Sequence, residues 1–387
     1  MTLKRNSKLF LVLFLGTLSA FGPFVTDLYL PALPTMSSYF NSSTSTIQLT
    51  LTGSMVGLAL GQLLIGPISD KYGRKNPLII SLIVYLISTI AIIIFPNVYA
   101  MIALRFIQGV SSAGAVVISR AISTDLYHGR ELAAFFALLM AVNGLAPILS
   151  PILGSLLLEL TDWRGIFVTL ALIGVILLAV NYKFNESLAV EKRLDLPITK
   201  TYYSIVHVAK NRLFFALVII QGFALAAMFA YIAASPFILQ THYSLSPLMY
   251  SLCFGLNGFA IVLGSKSAGN FKEKVSIKLG LSLMLLVSIY LAVALTLTLP
   301  FLFIEVGFFL LLLGLGFILP AGSAIAMSLE RERAGSASAF FGFVPFFLGG
   351  VVSPLVGIGN IFHSSAIAIV ICSAISFVTF KLVEKKI

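Results

Sequence analysis

Between residues 66 and 75 the chain reads Gly66-Pro67-Ile68-Ser69-Asp70-Lys71-Tyr72-Gly73-Arg74-Lys75. This stretch lies between two apolar runs, near 46–69 and 77–95, and a helix needs about 20 apolar residues to cross a hydrocarbon core about 30 Å thick. Its glycines permit a tight turn, and Asp70 can pair with Arg74 or cap a neighbouring helix. We therefore predict a charged turn that joins two membrane-spanning helices.

Apolar runs of this kind recur along the whole chain. Its 387 residues are 59% hydrophobic and 10% charged, with a mean hydropathy of +1.05, whereas a soluble domain carries about 25% charged residues. Polar and apolar residues do not alternate as they do in barrel strands, so helices are the expected spanning elements. The sequence predicts an all-α integral membrane protein with twelve spans, near 9–32, 46–69, 77–95, 98–122, 132–157, 163–181, 213–238, 246–269, 276–298, 301–328, 335–358 and 361–380.

The distribution of basic residues supports twelve spans. With the first residues placed in the cytoplasm, all but three of the 25 Lys and Arg residues fall on cytoplasmic segments; the three are Arg105, Arg120 and Arg164. This asymmetry follows the positive-inside rule and accounts for the net charge of +11 without a nucleic-acid partner. We expect a multi-pass protein in the lipid bilayer, with both termini in the cytoplasm and the first apolar run retained as a helix.

A charged connection, residues 182–212, contains Pro197 and divides the spans into six and six. Positions in the first set recur in the second at a constant offset of 203 residues, which indicates an internal repeat. The matching pairs are Gly61 and Gly264, Gly66 and Gly269, Asp70 and Glu273, and Arg130 and Arg333. We predict an N-terminal half over residues 1–181, a cytoplasmic linker over 182–212 and a C-terminal half over 213–387.

Two ionisable residues are predicted inside spans of the N-terminal half. Arg105 lies about 10 Å into helix four at 1.5 Å per residue, and an arginine in hydrocarbon costs at least about 2.5 kcal/mol. It therefore needs a partner, and Asp27 in helix one is the candidate at a similar depth. A static ion pair is possible, but intramembrane ionisable groups are functional by default, so proton coupling is the preferred interpretation.

Other candidates lie near helix ends or proline-containing breaks. Arg120, at the cytoplasmic end of helix four, either snorkels to the interface or takes part in substrate or proton coupling. Glu305, near the outer end of helix ten, is expected to be interfacial. Tyr29 and Tyr231 lie beside prolines in the first helix of their halves and are candidates for lining a substrate cavity.

The charged turn resembles the signature loop of the major facilitator superfamily, whose acidic and basic residues hold the two halves together on the cytoplasmic side. The resemblance assigns Gly66, Asp70, Gly73 and Arg74 to conformational gating. Asp125 is either a partner of that network or a plain helix-end carboxylate. Such transporters consist of two parallel six-helix halves that bind substrate between them near the midplane.

Further motifs resemble those of drug exporters. The run from Arg105 to Gly109 resembles the superfamily motif associated with proton coupling. Pro147, Pro151 and Gly154 resemble the antiporter motif of helix five, with Ser150 and Ser155 where glycine is usual. Helix two carries a ridge of small residues suited to close helix packing, Gly53-x3-Gly57-x3-Gly61.

The combined motifs, with the phrase from Asp27 to Pro34, resemble the bicyclomycin-resistance (Bcr/CflA) family of bacterial drug:proton antiporters over nearly the whole chain. That resemblance implies a multidrug efflux protein of the bacterial inner membrane, which confers antibiotic resistance, and we expect it to act as a monomer. It would export small amphipathic drugs or metabolites by alternating access in exchange for protons. A proton symporter or uniporter of a metabolite with the same fold is the alternative.

A membrane-embedded enzyme is a more remote alternative, because no catalytic constellation is visible. We expect no cofactor and no metal. Cys253 and Cys372 lie in predicted helices, and the four histidines lack metal-ligand spacing. The phosphate-binding loop that ATP-driven proteins use is missing from the sequence.

Overall fold

The computed structural model describes residues 6–193, 205–330 and 333–386. Within these ranges twelve helices are long and apolar enough to cross a membrane, which confirms the predicted all-α fold. In chain order, their bounds are α1 Lys8–Asp27, α2 Thr44–Tyr72, α3 Lys75–Ile94, α4 Val98–Leu126, α5 Gly129–Leu160, α6 Trp163–Lys183, α7 Arg212–Pro236, α8 Pro247–Ala268, α9 Glu273–Thr296, α10 Phe301–Leu329, α11 Ala334–Leu355 and α12 Ile361–Val383.

The first spanning segment is interrupted partway. The candidate span runs over Lys8–Tyr39, but α1 ends at Asp27 and is followed by a 3-10 turn, Leu30–Ala32, and a short helix, Leu33–Tyr39. Pro31 lies in that turn; it has no N–H to donate and disfavours the α conformation at the preceding residue. The break therefore places Asp27 at a helix end rather than in a continuous helix.

The seventh spanning segment has a comparable irregularity. Its candidate span is Arg212–His242, and α7 gives way after Pro236 to a π-helix, Phe237–His242. Non-α backbone inside a span is tolerated where it is buried in protein. The structure thus confirms the expected irregularities near Tyr29 and Tyr231.

The chain divides into two compact units. Unit 1 contains residues 1–30 and 53–201, and unit 2 contains residues 31–52 and 202–387. Unit 2 thus includes a segment, 31–52, that the sequence analysis assigned to the N-terminal half. The predicted boundaries of halves and linker stay a prediction. Residues 194–204 of the linker, including Pro197, lie outside the described residues.

In unit 1, α1 packs against α4, α5 and α6, and α3 packs against α4 and α6. The glycine ridge of α2 lies directly on the backbone of α4. A Cβ built on Gly57 would lie 2.9 Å from the Val110 nitrogen and 3.1 Å from the Gly109 Cα, and would overlap the Phe106 carbonyl oxygen. Glycine is needed for this approach, as expected for a packing ridge.

In unit 2, α7 packs against α10, α11 and α12, while α8 and α9 both pack against α10. A Cβ on Gly264 of α8 would lie 3.0 Å from the Cα of Gly316 in α10. Gly264 is the residue that the offset of 203 pairs with Gly61. A Cβ on Gly61 would lie 2.6 Å from the Ala113 Cβ of α4, so both residues permit close helix contact.

We predict that Gly57→Ala lowers the thermal stability of the purified protein by the equivalent of about 1–3 kcal/mol, because the added methyl group forces α2 and α4 apart. The measurement is thermal unfolding in detergent. Gly66→Ala, in the same helix, is the matched control, since its Cβ would meet only Val117 Cγ1, at 3.6 Å. Equal losses in both variants would contradict the assigned role of the ridge.

Candidate functional site

The guanidinium of Arg105 is fully buried in unit 1. Its Nη1 donates to the Val25 carbonyl oxygen (3.0 Å) and to Gln108 Oε1 (2.5 Å). Gln108 Nε2 in turn donates to Thr89 Oγ1 (2.7 Å), so the cluster links α1, α3 and α4. The Arg105 Cζ lies 4.2 Å from the Tyr29 ring centroid. A cation–π contact at this distance contributes about 2 kcal/mol when it is desolvated.

Asp27 is also buried, with 8% of its surface exposed. The sequence names Asp27 as the partner of Arg105. In the described part of the chain the two side chains form no direct ion pair, so that contact is wrong, although the Arg105 charge still acts on the Asp27 carboxyl group. The physical reason is the direction of the guanidinium, whose Nη1 donates to Val25 and Gln108 and whose Cζ lies against the Tyr29 ring. Both charges are therefore buried in one unit without a mutual ion pair.

The proline-containing helix α5 approaches the end of α1 at Gly154. A Cβ at this position would overlap the Leu28 carbonyl oxygen, so only glycine permits the contact. Pro147 and Pro151 lie inside α5, as predicted. The two serines that replace the usual glycines donate to carbonyl oxygens of their own helix: Ser150 to Ala146 (2.6 Å) and Ser155 to Ile152 (2.8 Å).

A second buried polar cluster lies in unit 2 around Glu305 of α10. Asn257 Nδ2 of α8 donates to Glu305 Oε1 (3.0 Å) and to the Tyr231 hydroxyl of α7 (3.0 Å). Glu305 is only 5% exposed, so the expectation that it is interfacial is wrong; α7 and α8 cover it. The sequence analysis missed Asn257, although an amide within an apolar run was an available signal.

The two predicted tyrosines occupy comparable places. Tyr29 and Tyr231 are both buried, and each contacts a polar cluster that includes an ionisable residue of α4 or α10. The Tyr231 ring also lies 4.7 Å from that of Phe308. Their role in lining a substrate cavity stays a prediction.

The charged turn forms a compact network in unit 1. Arg74, 5% exposed, donates from Nε to Asp125 Oδ2 (2.9 Å) and from Nη1 to Asp70 Oδ1 (2.5 Å) and Ser69 Oγ (2.9 Å). Gly73 has a φ of 89°, which favours glycine. Burial acts to lower the pKa of the Arg74 guanidinium, but hydrogen bonds and charge from Asp125 and Asp70 outweigh it and raise that pKa. Both predicted carboxylate partners are thus present.

Two further members of this network were missed. Glu186, after α6, accepts hydrogen bonds from the backbone N–H groups of Arg74 (3.0 Å) and Lys75 (3.1 Å) at the start of α3. A carboxylate is stabilising at a helix N-terminus. The Ser187 hydroxyl donates to Asp125 Oδ2 (2.8 Å). Glu186 lies 112 residues from Arg74, so no local pattern could have connected them.

Two residues predicted from the sequence, Arg120 and Gly66, belong to neither a charge network nor a close helix contact among the described residues. Arg120, near the end of α4, is exposed and forms no ion pair with the described residues. The space around Gly66 would hold a side chain, so close packing does not explain why this residue is a glycine. In the described ranges, no group of three or more His, Cys, Asp or Glu side chains could hold a metal ion.

The chain matches the Major Facilitator Superfamily over residues 9–354. It is 36% identical to YdgK of Bacillus subtilis (strain 168), an uncharacterized MFS-type transporter, over 92% of this chain and 90% of that protein. It is 28% identical to a bicyclomycin resistance protein homolog of Haemophilus influenzae, over 70% of this chain and 69% of that protein.

The fold is also that of solved transporters. A bacterial homolog of the human lysosomal transporter Spinster, inward-facing and unoccupied, has a TM-score of 0.74 at 14% identity, over 97% of this chain and 98% of that one. At this identity the likeness shows the fold alone. The family match and the relatives together show that this chain belongs to the major facilitator superfamily, as a membrane transporter and not an enzyme.

Proposed function

We propose that this protein exports small amphipathic drugs or metabolites from the bacterial cytoplasm in exchange for protons, as a monomer that works by alternating access. The relative named for bicyclomycin resistance supports the substrate class. Asp27, Arg105, Arg120, Tyr29 and Tyr231 are the proposed proton-coupling or substrate-binding residues.

The observation that carries this proposal is the buried carboxyl group of Asp27 at the break in α1, without an ion pair among the described residues. Ionisable side chains inside spans form the proton relays of pumps and transporters. Interrupted helices are where many secondary transporters bind ions and substrates. The ionised form of Asp27 attracts the Arg105 charge or a cationic substrate, and proton binding removes that attraction.

The energy available from one proton is sufficient for useful export. Moving one charge across 100 mV releases about 2.3 kcal/mol. Since a tenfold concentration ratio corresponds to about 1.4 kcal/mol, one net inward charge for each molecule supports a gradient of about 1.6 decades. No nucleotide is needed for such a cycle.

The network of Arg74 is the proposed gate. We place the charged turn and both termini in the cytoplasm because of the positive-inside rule. Asp70 and Asp125 then hold the cytoplasmic ends of α2, α3 and α4 in one arrangement through Arg74. Packed ends of this kind move as blocks or exchange partners during domain rearrangements. Gly66 and Gly73 belong to the same turn.

The proline-containing helix α5 is the proposed antiporter-type element. Pro147 and Pro151 lie inside this helix, and Gly154 brings it onto the end of α1 next to Asp27. A change at the α1 break therefore reaches α5 directly. Proton symport or uniport of a metabolite is the alternative, and the direction of transport separates it from export.

We predict that Asp27→Asn lowers proton-driven uptake of substrate into inside-out vesicles by about tenfold or more, equal to about 1.4 kcal/mol, because the amide cannot exchange the proton. Uptake is measured with bicyclomycin, chloramphenicol and a lipophilic cation, with and without a protonophore. Glu159→Gln removes an exposed carboxylate of α5 in the same unit and is expected to leave uptake unchanged.

Unchanged uptake in Asp27→Asn would show that another group carries the coupled proton. Protonophore-resistant uptake of every compound would contradict proton coupling itself. Proton-driven accumulation only in right-side-out vesicles would identify a symporter.

We further predict that Asp125→Asn destabilises the protein by about 3 kcal/mol, because loss of a partner leaves the buried Arg74 charge poorly compensated. Asp70→Asn is the matched variant and is expected to cost about 1 kcal/mol or less, since the Asp70 side chain is 50% exposed and that of Asp125 only 12%. Thermal unfolding and initial export rates are measured for both. A larger effect at Asp70 would contradict this ranking.

A further inference from the structure

Two buried oxygen atoms of the Glu305 cluster in unit 2 have no hydrogen-bond partner among the described residues. Glu305 Oε1 accepts from Asn257 Nδ2, and the Cys253 thiol lies beside the carboxyl group, but no N–H or O–H group donates to Glu305 Oε2. Asn257 Oδ1 is also buried and without a partner. Glu305 is 5% exposed and Asn257 is 0% exposed, so bulk solvent does not reach these oxygen atoms. Unpaired buried acceptors cost free energy, and more so when they are charged.

Among the described residues, no basic side chain forms an ion pair with Glu305. The titratable side chains on the helices packed against this part of α10 are Cys253 and Tyr250 of α8, Tyr231 of α7 and Tyr290 of α9. These are thiol and phenol groups, which carry no positive charge. An ionised Glu305 is therefore an uncompensated charge inside the helical bundle, which is expensive and is typical of functional sites.

We infer that Glu305 is a second proton-binding carboxyl group, located in unit 2. The proton adds to Oε2 and converts the carboxylate into a neutral carboxylic acid, and no other bond forms or breaks. The new O–H supplies a donor to the cluster, in which Asn257 Oδ1 is a buried acceptor without a partner. A hard metal cation fits less well, because it takes about six to eight oxygen ligands, and the cluster offers the few oxygens of Glu305, Asn257 and Tyr231.

Glu305 and Asp27 belong to different units of the chain. Glu305 lies on α10 about 6 Å from the helix start, four residues after Phe301 at 1.5 Å per residue, whereas Asp27 belongs to unit 1. Proton binding at Glu305 requires neither a particular substrate nor a particular direction of transport. If the proposed antiport holds, proton exchange at both carboxyl groups couples two protons to each cycle.

The test is infrared difference spectroscopy of the full-length protein in lipid bilayers, recorded between acidic and alkaline pH. A buried carboxylic acid gives a C=O stretching band that appears on protonation. We expect Glu305→Gln to lose one such band completely. Asp27→Asn keeps the Glu305 band, and Glu159→Gln, which removes an exposed carboxylate, leaves it unchanged.

Two variants guard against a folding defect in Glu305→Gln. Glu305→Asp keeps a carboxyl group and is expected to retain a titrating band at a shifted frequency. Asn257→Ala removes the hydrogen bond to Oε1 and is expected to shift the frequency of the same band without removing it. Retention of every band in Glu305→Gln, or a Glu305 band that changes neither in Glu305→Asp nor in Asn257→Ala, would overturn the inference.

The Glu305 band is expected to remain when sodium is added at constant pH, because the cluster offers too few oxygen atoms to hold a metal cation. The outcome is independent of export, because the spectra need no substrate. A Glu305 band that titrates in a protein that exports none of the tested compounds leaves the second site standing and rejects the proposed function.

Discussion

Hydrocarbon supplies no hydrogen-bond partners, so each backbone group and buried charge in a spanning segment must be stabilised within the protein. This constraint accounts for the twelve helices, which pair their own backbone groups. It also accounts for the close glycine contacts, such as that of Gly57 with the backbone of α4, because helices in lipid associate through van der Waals packing and not through burial from water.

Three buried ionisable side chains are exceptions to this constraint. Arg105, Asp27 and Glu305 are all buried, yet among the described residues none has an ion-pair partner. Arg105 is partly compensated by a backbone carbonyl, an amide and the Tyr29 ring. Glu305 accepts a hydrogen bond from Asn257, and no N–H or O–H group donates to its other oxygen. Buried ionisable side chains of this kind are expensive in a spanning segment and are typical of functional sites.

The charged turn lies at the ends of spanning helices and not in their interior. Charged side chains are tolerated near the ends of the spans. Several of them can therefore cluster there without the free-energy cost that a charge has at the bilayer midplane. Arg74 is held by Asp70 and Asp125, while Glu186 caps the start of α3. The chain that follows α6 is thus attached to the turn between α2 and α3. Backbone amides and carboxylates, not substrate contacts, determine this arrangement.

The amino-acid sequence alone determined the number and type of the spanning elements. Long apolar runs mark the segments that cross the bilayer, and a backbone in hydrocarbon must form its own hydrogen bonds, as a helix does. The sequence also indicated Asp70 with Arg74, since residues four apart in a turn or helix are neighbours. Only the tertiary structure decided how Arg105 is oriented, that Glu305 is covered by Asn257, and that Glu186 reaches the charged turn. These contacts join residues from different helices, and side-chain direction and helix packing set them, not spacing along the chain.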